Sequence, residues 1–103
     1  MKIKATEADG TTAAVVDTER ARKRWDAEYD WDGRNWICRP TGSQWVHEKL
    51  YQSARGNYYI VTRSDWQGTQ PTARFVSPSE AAAWLVLNGH ELPDDLKPHD
   101  STE

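Results

Sequence analysis

The stretch "QWVHEKLYQSARGNYYIVTRS", Gln44 to Ser64, decides the fold. Its flanks read as two strands, from about Gln44 to Gln52 and from Asn57 to Arg63, rich in aromatic and β-branched residues. Between them lies "SARG", where Gly56 can take the positive φ that a tight connection needs. Tyr58, Tyr59, Ile60 and Val61 form an unbroken apolar run, the pattern of a central strand touched on both faces.

Working outward, "ARFV" (Ala73 to Val76) predicts a further short strand, and "SPSEAAAWLVLNG" predicts a helix. Ser77 is the N-cap, Pro78 suits the first helical position, and Glu80 completes Ser-x-x-Glu. Asn88-Gly89 is the matching stop, so the helix runs from about Pro78 to Leu87. Ala81, Trp84, Leu85 and Asn88 then lie along one face. Upstream, "TAAVV" (Thr12 to Val16) reads as a strand and "WIC" (Trp36 to Cys38) as a possible short one.

From Ala21 to Asp32 every second residue is charged: Arg22, Arg24, Asp26, Glu28, Asp30 and Asp32. Ala21, Trp25 and Tyr29 would also make a helical stripe, but alternation accounts for more of the residues. The expectation is one strand, paired with Thr12–Val16 as a hairpin, with Trp25, Ala27, Tyr29 and Trp31 inward. The whole chain then reads as α+β: an antiparallel sheet of four to five strands with one C-terminal helix packed on one face. Residues 1–11 are expected as a flexible segment or edge strand, 12–92 as a single domain, and 93–103 as an acidic mobile tail.

The 103 residues suit one domain. Only 37% are hydrophobic, so the six Trp and four Tyr must supply much of the buried area. Residues 1–90 hold 12 basic and 11 acidic side chains, and the net charge of −3 comes mainly from the last 13 residues. That balance suits neither a strongly basic DNA binder nor an acidic mimic of nucleic acid. The lone cysteine, Cys38, makes no internal disulfide and no Cys-based zinc framework, so a reducing, cytoplasmic setting is the economical expectation. No apolar run approaches the ~20 residues that span a bilayer, and "MKIKATEADG" has no apolar core of a signal peptide.

Two segments, "KLYQSARGNYYIV" and "SPSEAAAWLVLNG", resemble a group of short bacterial and mobile-element proteins for which no activity is established. In these a Leu-Tyr strand, a Gly turn and an aromatic strand precede a Ser-x-x-Glu-Ala-x-x-Trp-Leu helix. "VVDTERA" is similar to the strand-and-turn entry of the same group. The resemblance implies a sheet with a C-terminal helix. Through the plasmid and phage setting of such proteins, it also implies an accessory or inhibitory role.

Catalytic residues, cofactors and metal ligands are not expected. Cys38 has a neighbouring Arg39 that could lower a thiol pKa, but no nucleophile motif surrounds it, and His47, His90 and His99 lack a ligating spacing. "DAEYDWDG" superficially matches a calcium loop when started at Glu28, with Gly33 sixth, but the twelfth residue is then Arg39 instead of Glu. The leading expectation is therefore a non-catalytic, protein-binding or regulatory module, in specific form an anti-CRISPR or anti-restriction inhibitor. Its expected surface is Asp26, Glu28, Asp30, Asp32, Arg63, Asp65, Trp66 and Gln67, where charge sets register and an exposed Trp anchors the contact. The alternative is nucleic-acid binding through Arg22, Arg24, Arg34, Trp36 and Arg39, with basic groups on phosphates and the ring on bases. A small enzyme is the residual reading. The identity of the partner and the oligomeric state are not written in the sequence.

Overall fold

A computed structural model describes residues 2–7, 12–66 and 68–96. The chain is α+β: eight strands, one α-helix and two short 3-10 turns among the described residues. The strands are β1 (Lys2–Thr6), β2 (Thr12–Asp17), β3 (Lys23–Asp26), β4 (Tyr29–Trp31), β5 (Trp36–Cys38), β6 (Val46–Gln52), β7 (Tyr58–Ser64) and β8 (Thr72–Val76). The helix α1 is Pro78–Leu87. Six strands form one sheet in the order β2-β1-β8-β7-β6-β3, and β4 and β5 form a separate two-stranded sheet.

The expected central hairpin is present as β6 and β7, with Leu50 opposite Ile60 and Tyr51 opposite Tyr59. Gly56 closes it at φ 91°. The expected helix is also present. Ser77 Oγ accepts the Glu80 N–H at 3.1 Å, and Ala81, Trp84, Leu85 and Asn88 are all buried. Its end is fixed by Gly89 at φ 75°, with His90 N–H returning to the Leu85 carbonyl at 2.9 Å.

Three features differ from the sequence expectation. The sheet is mixed and has six strands, because Lys2–Thr6 is an inner strand that runs parallel to β8 and antiparallel to β2. Its alternation explains this: Ile3 and Ala5 are buried while Lys2 and Lys4 are exposed. The charged row is not one strand. It breaks at Ala27 and Glu28 into β3, which pairs with β6 and not with β2, and β4, which pairs with β5. Ala27 is buried and the Glu28 N–H is taken by the Asn88 side chain at 2.8 Å, so the chain turns under the helix end. Finally, the start of the expected tail is packed. Asp94–Leu96 forms a 3-10 turn with Leu96 buried, and Asp95 Oδ2 accepts the Tyr58 hydroxyl at 2.7 Å and Gln52 Nε2 at 3.1 Å. Residues 97–103 lie outside the described residues.

Both faces of the six-stranded sheet are covered, by different means. On one face Leu50, Tyr58, Ile60 and Val76 pack with Ala81, Trp84 and Leu85 of α1, and with Cys38 and Leu96. On the other, Ile3, Ala5, Val16, Tyr51, Tyr59, Val61 and Ala73 pack together with no helix over them. Here the sheet curls toward its own face, while β2 and β3 remain its unpaired edges among the described residues. Its edge strands would lie roughly 24 Å apart if flat, yet the link from Asp17 to Lys23 contains a 3-10 turn and spans at most about 18 Å. The groove shared by β2 and the β6–β7 turn, lined by Val15, Asp17, Ser53, Arg55 and Tyr59, shows the same curl. No helix among the described residues is long and apolar enough to cross a membrane.

Candidate functional site

The β4–β5 hairpin carries the first half of the site. A two-stranded hairpin is marginal alone, and this one is held by side chains at its base. Tyr29 stands opposite Cys38 and Trp31 opposite Trp36. By alternation these four share one face. Cys38 is fully buried. On the other face Arg39 grips Asp30 through two bonds, at 2.7 and 3.0 Å, and reaches the Leu87 carbonyl at the end of α1 at 2.9 Å. Asp32 closes the turn by accepting the Arg34 and Asn35 N–H groups at 2.8 and 2.7 Å. These bonds hold the Asp30 and Asp32 carboxyls below the usual carboxylate range.

The Tyr29 hydroxyl meets His47 Nδ1 of β6 at 2.6 Å, and His47 Nε2 meets Asp65 Oδ2 at 2.7 Å. A carboxylate only accepts, so Nε2 carries a proton and donates to it, and in the neutral ring Nδ1 accepts from the phenol. Burial pushes the Tyr29 phenol up to about 12, assisted by the neighbouring Cys38 thiol and partly opposed by Arg63. The three groups therefore form an oriented relay: phenol to imidazole to carboxylate. It borders a cleft of about 440 Å³ whose walls include Asp26, Ala27, Tyr29, Lys49, Tyr51 and Arg63.

Two tryptophan pairs adjoin this relay along the chain. Trp31 and Trp36 pack at the hairpin tip with ring centroids 5.4 Å apart, tilted 55°. Trp45 and Trp66 pack at the end of β6–β7, 5.5 Å apart and tilted 43°. All four are open to solvent, at 56%, 61%, 46% and 63%. Tyr29 shares the hairpin face of Trp31, and Asp65 precedes Trp66 and donates its N–H to the Trp45 carbonyl at 2.8 Å. The relay thus joins one pair to the other.

Of the residues expected at a protein-binding surface, Asp26, Arg63, Asp65 and Trp66 gather around the cleft and the second Trp pair. Glu28 sits at the turn into β4, and Asp30 and Asp32 are engaged within the hairpin, so the single charged strip dissolves. Gln67 lies outside the described residues, as does His99. The basic set is also divided. Arg22 and Arg24 belong to the β3 edge, where Arg24 reaches the Thr18 carbonyl at 3.5 Å, while Arg34 and Trp36 are at the hairpin tip and Arg39 is bound to Asp30.

Sequence reasoning missed Tyr29, His47 and Trp45 as site residues, and its inward placement of Trp31 is corrected: the three-residue β4 has no layer to cover that ring, which is 56% exposed. The only sign of His47 was its parity with Tyr51, which places it on the face away from the helix. Nothing local ties it to Tyr29, 18 residues earlier. No family model, curated protein or solved structure matches this chain.

Proposed function

We propose that this chain is a small, non-catalytic module that docks onto another protein. The contact is formed by the Trp31–Trp36 and Trp45–Trp66 pairs, with Asp65 and Arg63 at its polar edge. The observation that carries this reading is the exposure of four indoles in a chain that has six Trp and a lean apolar composition. Together they offer roughly 400–500 Å² of open aromatic surface, at ~150–250 Å² per ring, against ~800 Å² per partner in a standard interface. Trp is also the residue type most enriched among interface residues that dominate affinity. In narrower form the module is an accessory inhibitor of the anti-CRISPR or anti-restriction kind. The small size and the resemblance of the hairpin and helix segments support that form.

Capture from a nuclease-treated bacterial lysate tests the assignment, using the wild type, a Trp36→Ala/Trp66→Ala double variant and an Arg22→Gln/Arg24→Gln double variant. The Trp variant should lose the captured protein by about tenfold or more, and the Arg variant should keep it. Equal recovery by wild type and Trp variant would contradict the surface. Loss on nuclease treatment would favour nucleic acid.

A further inference from the structure

The cleft beside the relay has one cation without a partner among the described residues, Arg63. Lys49 Nζ lies 3.1 Å from Asp26 Oδ1, its cross-strand partner. Asp65 is taken by His47 at 2.7 Å. The Glu48 side chain turns to the helix side, where it accepts the Trp84 indole N–H at 3.0 Å. Arg63 alone among the charged side chains of the cleft has no ion-pair or hydrogen-bond partner among the described residues. It is the register partner of His47, so its side chain stands on the same face of the sheet. Its charge is felt at the Tyr29 phenol, where it opposes the upward push of burial.

The rest of the cleft is apolar in character, with Ala27, Tyr51, Val61 and Pro71 among its walls. Its volume, about 440 Å³, is in the range of small-ligand sites. The Tyr29 proton is already directed to His47, so this phenol holds the ring in place and leaves the guanidinium as the donor for an incoming group. We infer that the cleft binds a small organic monoanion: one carboxylate, held by the Arg63 guanidinium fork, on an apolar body that lies against Tyr51, Val61 and Pro71. A single unmatched cation calls for a single negative charge, and the planar fork suits a carboxylate. This goes beyond the docking reading, since the Trp pairs need no occupant in the cleft.

Titration of the isotope-labelled protein with sodium benzoate, and separately with benzamide as its neutral counterpart, tests the inference. Benzoate should shift the backbone amides of 47–51 and 61–63 saturably, with an affinity about tenfold or more above that of benzamide. Arg63→Gln should bring benzoate down to the benzamide level without altering the unfolding midpoint. Arg55→Gln, a change on the β6–β7 turn, should leave binding as in the wild type. Equal affinity for the two probes, no saturable shift by tens of millimolar benzoate, or full retention in Arg63→Gln would overturn it. Loss of the captured protein in the Trp variants with benzoate binding intact would separate the two readings.

Discussion

Strands β6 and β7 have seven residues each, and Leu50, Tyr51, Tyr58, Tyr59, Ile60 and Val61 are buried against one sheet face or the other. Strands β4 and β5 have three residues each, and of these only Cys38 is buried. The first hairpin is held by apolar burial spread over two clusters. The second is held by point contacts made far away in sequence: Tyr29 to His47, Arg39 to the end of α1, and Asn88 to Glu28. Burial over a wide area produces a cooperative unit, whereas a few polar anchors leave a segment that can open alone. The same difference places the open indoles: an element this small has little to cover Trp31 and Trp36.

Leu50→Ala should have the largest effect. Leu50 is fully buried between β3, β7 and the helix-side cluster, and its truncation should cost about 2–5 kcal/mol. Urea unfolding should shift as one transition by fluorescence and by circular dichroism. A loss below about 1 kcal/mol would show that the two-faced hairpin is not the stabilising centre.

Alkaline pH should act next. Burial pushes Tyr29 and Tyr59 up to about 12 from 10.0, and Tyr58, buried and donating to Asp95, is also raised. An unfolded chain loses these protons near pH 10 while the folded one keeps them, so stability from this source is complete below pH 10. It falls as pH rises towards 12. Absorbance of tyrosinate at about 295 nm against pH, with circular dichroism alongside, should show ionisation of these rings coinciding with unfolding. Ionisation near pH 10 in a still-folded protein would contradict their burial.

Asn88→Ala should have a smaller global effect and a sharper local one. It leaves the Glu28 N–H without its acceptor and removes the bond to the Trp84 carbonyl, at about 1–3 kcal/mol. Hydrogen exchange should quicken across 29–38 well before 58–61. Uniform acceleration of both hairpins would show that they open together.

The strands with two buried faces and the capped helix were legible because their signals are local. Ser77, Pro78, Glu80 and Asn88-Gly89 specify the helix within one segment, and Gly56 specifies the turn of β6–β7. The mixed sheet was not legible, since nothing in "KIKAT" names β8 as a parallel neighbour 68 residues on. The charged row misled because alternation continues across Ala27 and Glu28 while the chain changes sheets there. That break is set by Asn88, 60 residues away. At the site, Trp66, Arg63 and Asp65 were anticipated from an isolated Trp in a polar loop. His47, Tyr29 and Trp45 join them only through tertiary contacts.

The indole N–H signals of the six tryptophans, followed by nuclear magnetic resonance as the captured protein is added, test the docking claim most directly. Trp31, Trp36, Trp45 and Trp66 should shift, while Trp84, buried and bonded to Glu48, should not. If those four stay in place while the partner binds and moves signals elsewhere, the two tryptophan pairs are not the docking surface.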